Sequence, residues 1–381
     1  MIRVLVVEDS PTVREFLLHI LRSDSEIEVV GTAETGEEAI EAVGRIRPDV
    51  ITMDVQMPKM NGFDATRRIM ESQPTPIVIV SGTVDTAYAA KAFRAIEAGA
   101  LAVLQRPAGL GHPDHLRNVA DLLRTVKLMS EVKVIRRWPR SRPAEIPRDA
   151  SLGTEFRRQA AQTQVSLVAI GASTGGPPVL QAILAALPRD FAVPVLIVQH
   201  IAPGFAQGLA DWLGQSSSLP VQLPVHGQPV LAGQVYVAPD GFHMAVGRHG
   251  QIHLSTDEPE NGLRPSVSHL FRSVAHGYGS RAVGVLLTGM GKDGAWELKL
   301  MKEQGAVTIA QDRATSVVHG MPGEAIKMGG ATYVLSPDRI RMALISLVSG
   351  NGNTRELDIA NPANNAPETS NLFLGRHFSG K

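Results

Sequence analysis

The chain has 381 residues, of which 44% are hydrophobic and 19% charged, enough to bury the cores of two or three globular domains. A formal net charge of +0 argues against a nucleic-acid partner, and the lack of cysteine excludes disulfides and thiolate metal sites. The first residues lack a signal-peptide pattern, and no apolar run approaches the ~20 residues of a membrane helix. We therefore expect a cytoplasmic protein without membrane insertion.

Short apolar runs alternate with amphipathic stretches in the first third of the chain, which predicts a parallel sheet wrapped by helices. Pro11–Leu21 has the pattern of the first helix, with Ser10 as its N-cap and Pro11 at its first position. The predicted strands are Ile2–Val7, Glu28–Ala33, Val50–Met53, Ile77–Val80 and Leu101–Leu104.

Polar side chains follow the ends of these predicted strands. Glu8 and Asp9 follow the first strand, Asp54 the third, Ser81 the fourth and Arg106 the fifth. The carboxyl ends of parallel strands meet at one edge of a sheet, so three carboxylates should converge there. Like charges at such distances need a neutralising cation, and oxygen ligands suit Mg²⁺. Solvated caps are the alternative interpretation, which the presence of the whole set disfavours.

The segments VVEDS, ITMDVQMPKMNGFDATRRI, VIVSG and LQRP, in this order, resemble the receiver domain of bacterial response regulators over residues 1–125. The resemblance implies a flavodoxin-like domain with a five-stranded parallel sheet, and a chemotaxis-type histidine kinase as phosphodonor. It also implies that Asp54 accepts the phosphoryl group and that Ser81 contacts it. The implied Mg²⁺ ligands are Glu8, Asp9, Asp54 and the backbone carbonyl of Gln56.

Two positions depart from the receiver pattern. Arg106 stands where receivers usually have lysine, and Val103 where they usually have an aromatic residue. Arginine can still contact a phosphoryl group, although its forked guanidinium differs from the compact lysine ammonium. Loss of the aromatic residue removes the usual rotamer switch, so we expect phosphorylation at Asp54 but an altered route for its signal.

The character of the chain changes at about residue 126, where a basic, proline-containing stretch predicts a linker over residues 126–162. A second α/β pattern follows at 163–348, and the polar tail 349–381 has the composition of a disordered segment. Predicted strands of the second domain are Leu167–Ile170, Val195–Val198, Val235–Val237, Ile252–Leu254, Val283–Leu287, Val307–Ala310 and Tyr333–Leu335. Predicted helices are Pro178–Ala186, Val267–His276, Ala295–Glu303 and Asp338–Val348.

Ser173 is the candidate nucleophile, because it lies in a G-x-S-x-G motif between a predicted strand and a predicted helix. A serine nucleophile needs a base. Among the twelve histidines, His200 directly follows a predicted strand, and Asp293 follows another in the loop LLTGMGKDGA. The order Ser, His, Asp differs from that of α/β-hydrolases. A phosphate-binding turn remains the alternative, weakened by the lack of a P-loop lysine.

The segments AIGASTGGP, VQHIAPGF, VYVAPDGFHM, LLTGMGKDGA and SVVHGMPGEA resemble the catalytic domain of chemotaxis protein-glutamate methylesterases. The resemblance implies a doubly wound α/β domain with Ser173 as nucleophile, His200 as base and Asp293 as the orienting acid. Thr174 and Met290 would flank the site, and the backbone N–H of Met290 is a candidate oxyanion donor.

The implied activity is hydrolysis of glutamate methyl esters, and deamidation of glutamines, on chemoreceptors, with no cofactor for the esterase reaction. The resemblance also implies that the unphosphorylated receiver covers the catalytic cleft and that phosphorylation releases it. The same activity in a non-flagellar pathway remains open, as does a response regulator whose output domain only binds a ligand or partner.

Overall fold

The computed structural model describes residues 1–82, 93–132, 134, 156 and 164–349. The predicted linker beyond residue 134 falls almost wholly outside these ranges, and so does the tail from residue 350. No helix among the described residues is both long enough and apolar enough to cross a membrane.

The first domain is built on a five-stranded, all-parallel sheet in the order β2-β1-β3-β4-β5. This is the flavodoxin-like order expected from the sequence. Its strands are β1 (Ile2–Val7), β2 (Ile27–Ala33), β3 (Val50–Met53), β4 (Ile77–Ser81) and β5 (Ala102–Gln105). Its helices are α1 (Pro11–Arg22), α2 (Gly36–Ile46), α3 (Gly62–Ser72), the helical residues 93–98 (α4) and α5 (His115–Ser130).

Helix α1 begins where the sequence predicts, with Pro11 in its first turn. Ser10 occupies the N-cap position but makes no side-chain capping bond. Its backbone N–H instead donates to Glu8 Oε1 at 3.2 Å. Helix α5 continues to Ser130, past the start of the predicted linker.

The second domain is built on a seven-stranded parallel sheet in the order β14-β13-β12-β6-β7-β9-β8, with a separate β10-β11 hairpin. Its strands are β6 (Leu167–Ala172), β7 (Val195–Gln199), β8 (Val221–Gln222), β9 (Val235–Val237), β10 (His243–Val246), β11 (Ile252–Ser255), β12 (Ala282–Leu286), β13 (Val307–Gln311) and β14 (Tyr333–Leu335). Its helices are α6 (Gly176–Leu184), α7 (Ala206–Ser216), α8 (Val267–Tyr278), α9 (Ala295–Glu303), α10 (Met321–Lys327) and α11 (Pro337–Ser349), with one 3-10 turn at Gly279–Arg281.

Helices cover both faces of this sheet, so its central strands are mostly apolar, as buried parallel strands are. Val168 and Ile170 of β6 belong to the core that includes Leu180 of α6, whereas Leu167 and Ala169 belong to the core that includes Phe271 of α8. The chain runs from β6 to β7, then to the edge strand β8 and back to β9 between them, and later returns to β12 on the other side of β6. This reversal opens a crevice beside the carboxyl end of β6.

Four elements of the second domain were missed from the sequence: strand β8 and helix α10, which are short, and helix α7 and strand β10. Helix α7 contains Gly208 and Gly214, which lower helix propensity, and its stability comes from buried residues such as Trp212 and Leu213. Strand β10 is four residues long and begins at His243, a polar residue that is fully buried. Tertiary packing therefore decides α7 and β10, and a local sequence pattern does not reveal it.

Candidate active site

Ser173 lies on the tight turn between β6 and α6. Its backbone N–H donates to the carbonyl of Thr288 at 3.0 Å, which ties the turn to the loop after β12. Gly175 has a φ of 76°, and a Cβ placed there would lie 2.5 Å from Val317 Cβ. Only glycine suits such a left-handed and crowded position. The turn thus presents Ser173, which is partly exposed, at the crevice.

His200 follows β7 directly and is held beside the same turn. Its backbone N–H donates to the carbonyl of Ala172 at 2.9 Å. Its Nε2 lies 2.8 Å from Asp293 Oδ2, and the imidazole side chain is 9% exposed. The two residues that the sequence placed at different strand ends are therefore hydrogen-bonded partners.

Asp293 accepts hydrogen bonds from the first residues of α8 in addition to His200. Oδ1 accepts from Ser266 Oγ at 2.8 Å and from the Ser268 N–H at 3.1 Å, and Oδ2 accepts from the Val267 N–H at 2.6 Å. Burial alone would raise the pKa of Asp293, but the bonds from His200, Ser266 and Ser268 outweigh it and hold the pKa at about 2. The helix N-terminus adds a favourable dipole, so Asp293 stays ionised.

The contact between His200 and Asp293 determines which imidazole nitrogen is left for chemistry. An ionised carboxylate can only accept, so it holds the proton on Nε2. Nδ1 then carries the lone pair that could take a proton from Ser173. This is the division of labour that serine nucleophiles require, with the roles of the two ring nitrogens exchanged relative to the serine-protease template.

Thr174 and Met290, the two flanking residues named from the sequence, both line the cleft that contains Ser173 and His200. The Thr174 carbonyl accepts a hydrogen bond from Thr288 Oγ1 at 2.9 Å. Met290 is partly buried and packs against an apolar cluster that contains Leu122 of the first domain together with Val318 of the second. One residue of the predicted catalytic surroundings thus lies at an apolar cluster that both domains share.

The cleft has a volume of about 1210 Å³ and lies between the two domains. One wall contains Ser173, Thr174, His200, Met290 and Asp293, and the other includes residues of β5 and α5. The residues of the first domain that line the cleft include Val103, Leu104, Arg117, Asp121 and Arg124. The side chain of Arg117 also donates to the carbonyl of Gly262 at 3.4 Å.

The acidic cluster of the first domain has the expected geometry. Glu8, Asp9 and Asp54 each offer a carboxylate oxygen, and these three atoms lie within 4.8 Å of one another. Burial and the charge of Asp54 raise the pKa of Glu8 to about 7. Glu8 Oε2 is buried without a hydrogen-bond partner among the described residues. Such a cluster is electrostatically incomplete without a cation.

Arg106 lies at this acidic cluster. Its charge lowers the pKa of Glu8, against the larger effect of burial, and its guanidinium packs so closely on Gly82 that a Cβ there would lie 2.0 Å from one nitrogen. Gln56 lines a cavity together with Asp9. The side chain of Ser81 lies outside the described part of the chain, so its contact with a phosphoryl group stays a prediction.

Sequence reasoning missed the residues that hold the loops of Ser173, His200 and Asp293 together. Ser266 and Ser268 lie on either side of Val267, the first residue of α8. The sequence shows them only as serines at the start of a predicted helix. Gln199 and Thr288 end or follow strands, as Ser173 and His200 do, but neither residue type by itself suggests catalysis. Their contacts become visible only when the strand ends are brought together.

Comparison with known proteins assigns the chain to a family. Residues 168–344 match the family model described as CheB methylesterase, and residues 4–119 match the response regulator receiver domain. The protein-glutamate methylesterase/protein-glutamine glutaminase of Nitrosospira multiformis is 57% identical over 355 residues, covering 93% of this chain and 99% of that protein. The chain belongs to the CheB methylesterase family.

Other relatives agree with this assignment to the CheB methylesterase family. Protein-glutamate methylesterase/protein-glutamine glutaminase 4 of Geobacter metallireducens is 58% identical over 349 residues, covering 91% of this chain and 99% of that protein. The crystal structure of the Thermotoga maritima CheB methylesterase catalytic domain is 40% identical, covers 48% of this chain and 99% of that one, and has a TM-score of 0.47. The two family-model matches and the two curated relatives confirm both resemblances seen in the sequence.

Proposed function

We propose that this chain is a phosphorylation-controlled protein-glutamate methylesterase and glutamine deamidase in which Ser173 is the nucleophile. His200 takes the proton of Ser173 Oγ while Oγ attacks the γ-carbonyl carbon of a methylated glutamate. The tetrahedral intermediate collapses, the proton passes to the methoxy oxygen, and methanol leaves. Water, deprotonated by His200, then attacks the glutamyl-enzyme and releases the glutamate and the free serine.

The developing negative charge on the carbonyl oxygen needs hydrogen-bond donors. The backbone N–H of Met290 is our candidate, because Met290 and Ser173 line the same cleft. A primary amide passes through a similar oxyanion and loses ammonia in place of methanol, so one set of donors serves esters and glutamines. The substrates are side chains on the cytoplasmic helices of chemoreceptors.

The observation that carries this proposal is the His200–Asp293 pair, 2.8 Å apart and in one cleft with Ser173. The test is methanol release from methylated receptors, with and without a phosphodonor. We expect the phosphodonor to raise the rate in the unchanged protein and to have no effect on Asp54→Asn. Stimulation that persists in Asp54→Asn would reject Asp54 as the phosphoryl acceptor.

The acidic cluster fits a divalent cation. Glu8, Asp9 and Asp54 supply carboxylate oxygens within 4.8 Å of one another, and Gln56 would add its carbonyl. When bound, Mg²⁺ neutralises the carboxylates and binds the phosphoryl oxygens. Arg106 adds a fixed positive charge at the same place, in the role that lysine has in most receivers. The phosphodonor would be a chemotaxis-type histidine kinase.

Control by the receiver follows from the shared cleft. Residues of β5 and α5 line the same space as Ser173, and Met290 packs against an apolar cluster that residues of the receiver share with Val318. A receptor helix therefore has to displace the receiver before its glutamate can reach Ser173. Phosphorylation at Asp54 would bias this two-state interface toward the open state. An output domain that only binds a partner would not need the buried His200–Asp293 pair.

Helix α4 supplies a contact through which this interface can be tested. Glu97 Oε1 accepts a hydrogen bond from Trp212 Nε1 at 2.7 Å and from Gln181 Nε2 at 3.3 Å. The ring of Phe93 stacks on Trp212 at 5.4 Å between centroids. Glu97 also lines the cavity that contains Asp9, so α4 joins the phosphorylation region to the catalytic domain.

We expect Glu97→Ala to raise methanol release by the unphosphorylated enzyme about fivefold. The lost hydrogen bonds at this exposed position weaken the closed state by roughly 1 kcal/mol. The initial rate without phosphodonor is the measurement, and the fully phosphorylated rate should not change. Glu41→Ala, which removes an exposed glutamate of α2, is the matched control. Equal unphosphorylated rates for Glu97→Ala and Glu41→Ala would contradict the closed-state role of this contact.

A further inference from the structure

One side chain joins the loop that carries Ser173 to the loop that carries His200. The Nε2 of Gln199, the last residue of β7, donates to the carbonyl of Ser173 at 2.8 Å and to the carbonyl of His200 at 2.8 Å. A primary amide has two N–H donors on this nitrogen, so both are used. Each bond ends on the backbone of a residue that the proposed mechanism requires.

The amide of Gln199 is held in a single orientation. Gln199 is 4% exposed, and its Oε1 is buried without a hydrogen-bond partner among the described residues. Turning the amide over would place Oε1 against two carbonyl oxygens, which repel it. Leaving a buried acceptor unpaired is unfavourable, so the two bonds from Nε2 decide the orientation.

The first residue of α6 is shaped to receive this amide. A Cβ on Gly176 would lie 2.2 Å from Gln199 Oε1 and 2.8 Å from Ala172 Cβ. The Gly176 N–H donates to the same Ser173 carbonyl at 2.8 Å. The carbonyl of the nucleophile is thus fixed from two sides, by the turn itself and by the amide from the neighbouring strand.

We propose that Gln199 is a positioning residue that sets the distance and orientation between Ser173 and His200. It contacts neither the substrate nor the reacting atoms, and acts by tying the two backbones together. The inference rests on the proposed roles of Ser173 and His200. Without the amide, the two loops would be joined mainly by the single bond from the His200 N–H to the Ala172 carbonyl.

The test uses the full chain, saturated with phosphodonor, and methylated receptors as substrate. Gln199→Met keeps the length of the side chain and removes both donors. We expect kcat for methanol release to fall about 10- to 100-fold, since misplacement by less than 1 Å is costly, with KM unchanged. Gln207→Met is the matched control, because Gln207 is exposed on α7 and, among the described residues, its side chain bonds only Asp211. A kcat equal to that of Gln207→Met would overturn the proposal.

Combination with His200→Ala separates positioning from loss of structure. If Gln199 acts by aligning His200 with Ser173, Gln199→Met should cost less than about twofold in the His200→Ala background. A purely structural defect would cost the same factor in both backgrounds and would overturn the proposal. If His200→Ala itself keeps most of the activity, the proposed base is wrong, which is a different failure.

Gly176→Ala provides an independent variant if Gln199→Met does not fold. The added methyl group displaces the amide of Gln199 without removing its donors. We expect the same loss of kcat at constant KM, and the same disappearance of that loss in the His200→Ala background. Unchanged kcat in Gly176→Ala would show that the position of the amide does not matter for catalysis.

Discussion

Ser173→Ala is expected to lower methanol release from methylated receptors by at least about 10³-fold, because the hydroxyl is the proposed attacking group and the proposed covalent intermediate cannot form without it. The methyl group of alanine fits the space of the serine Cβ, and the Ser173 backbone bonds to Thr288 and Gly176 remain available. The fold should therefore persist. The measurement is steady-state methanol release with phosphodonor present.

Two controls accompany this variant. Ser218→Ala removes an exposed serine of the same domain and should leave the rate unchanged. Phosphorylation of Asp54 should proceed normally in Ser173→Ala, since the receiver does not depend on the hydroxyl. More than about a tenth of the original turnover in Ser173→Ala would reject Ser173 as the nucleophile.

Asp293→Asn is expected to lower kcat by about 10³-fold or more with little change in KM. Asparagine presents one NH₂ group where Asp293 has two acceptors. If the NH₂ replaces Oδ1, it meets the Ser268 N–H that lies 3.1 Å from that oxygen. If it replaces Oδ2, it meets the Val267 N–H at 2.6 Å as well as His200. In either orientation, the NH₂ group of asparagine faces another N–H donor, so a hydrogen bond is lost and the two groups repel each other.

The orientation with NH₂ toward His200 would also reverse the tautomer, placing the imidazole proton on Nδ1, where the lone pair is needed. Because the pKa of Asp293 is about 2, the carboxylate of the unchanged enzyme is ionised throughout the neutral range. Ionisation of Asp293 should therefore not contribute to the pH dependence of the unchanged enzyme in the neutral range. Asp190→Asn, at an exposed position, is the matched control. A kcat for Asp293→Asn within about threefold of this control would reject the orienting role.

The resemblance to receiver domains implied the flavodoxin-like sheet. The meeting of Glu8, Asp9 and Asp54 was predicted from their positions, because these residues directly follow strands whose apolar pattern is strong. Strand-end positions also suggested His200 and Asp293 as partners, and the resemblance to methylesterases selected them. In a parallel sheet, the residues that follow the carboxyl ends of the strands lie at the same edge. Their proximity can therefore be predicted from the sequence.

Other contacts of the site could not be predicted from the sequence, because they are made by residues at a helix start and by a side chain that bonds backbone carbonyls. Ser266 and Ser268 bond Asp293 through the start of a helix, and Gln199 acts through an amide that bonds backbone carbonyls. Nothing in the local pattern distinguishes these residues from ordinary caps or strand ends. The packing of Phe93 against Trp212 depends on how the two domains pack against each other, which hydrophobic periodicity does not encode.

Because both domains line the cleft, binding of a receptor there would also affect the phosphorylation of the receiver. If a receptor helix and the receiver compete for the surface around Met290, then binding of the receptor favours the same open state as phosphorylation of Asp54. Coupling free energies are reciprocal. A methylated receptor array would therefore strengthen the tendency of this enzyme to become and remain phosphorylated. The substrate would act as an input to the switch as well as its target.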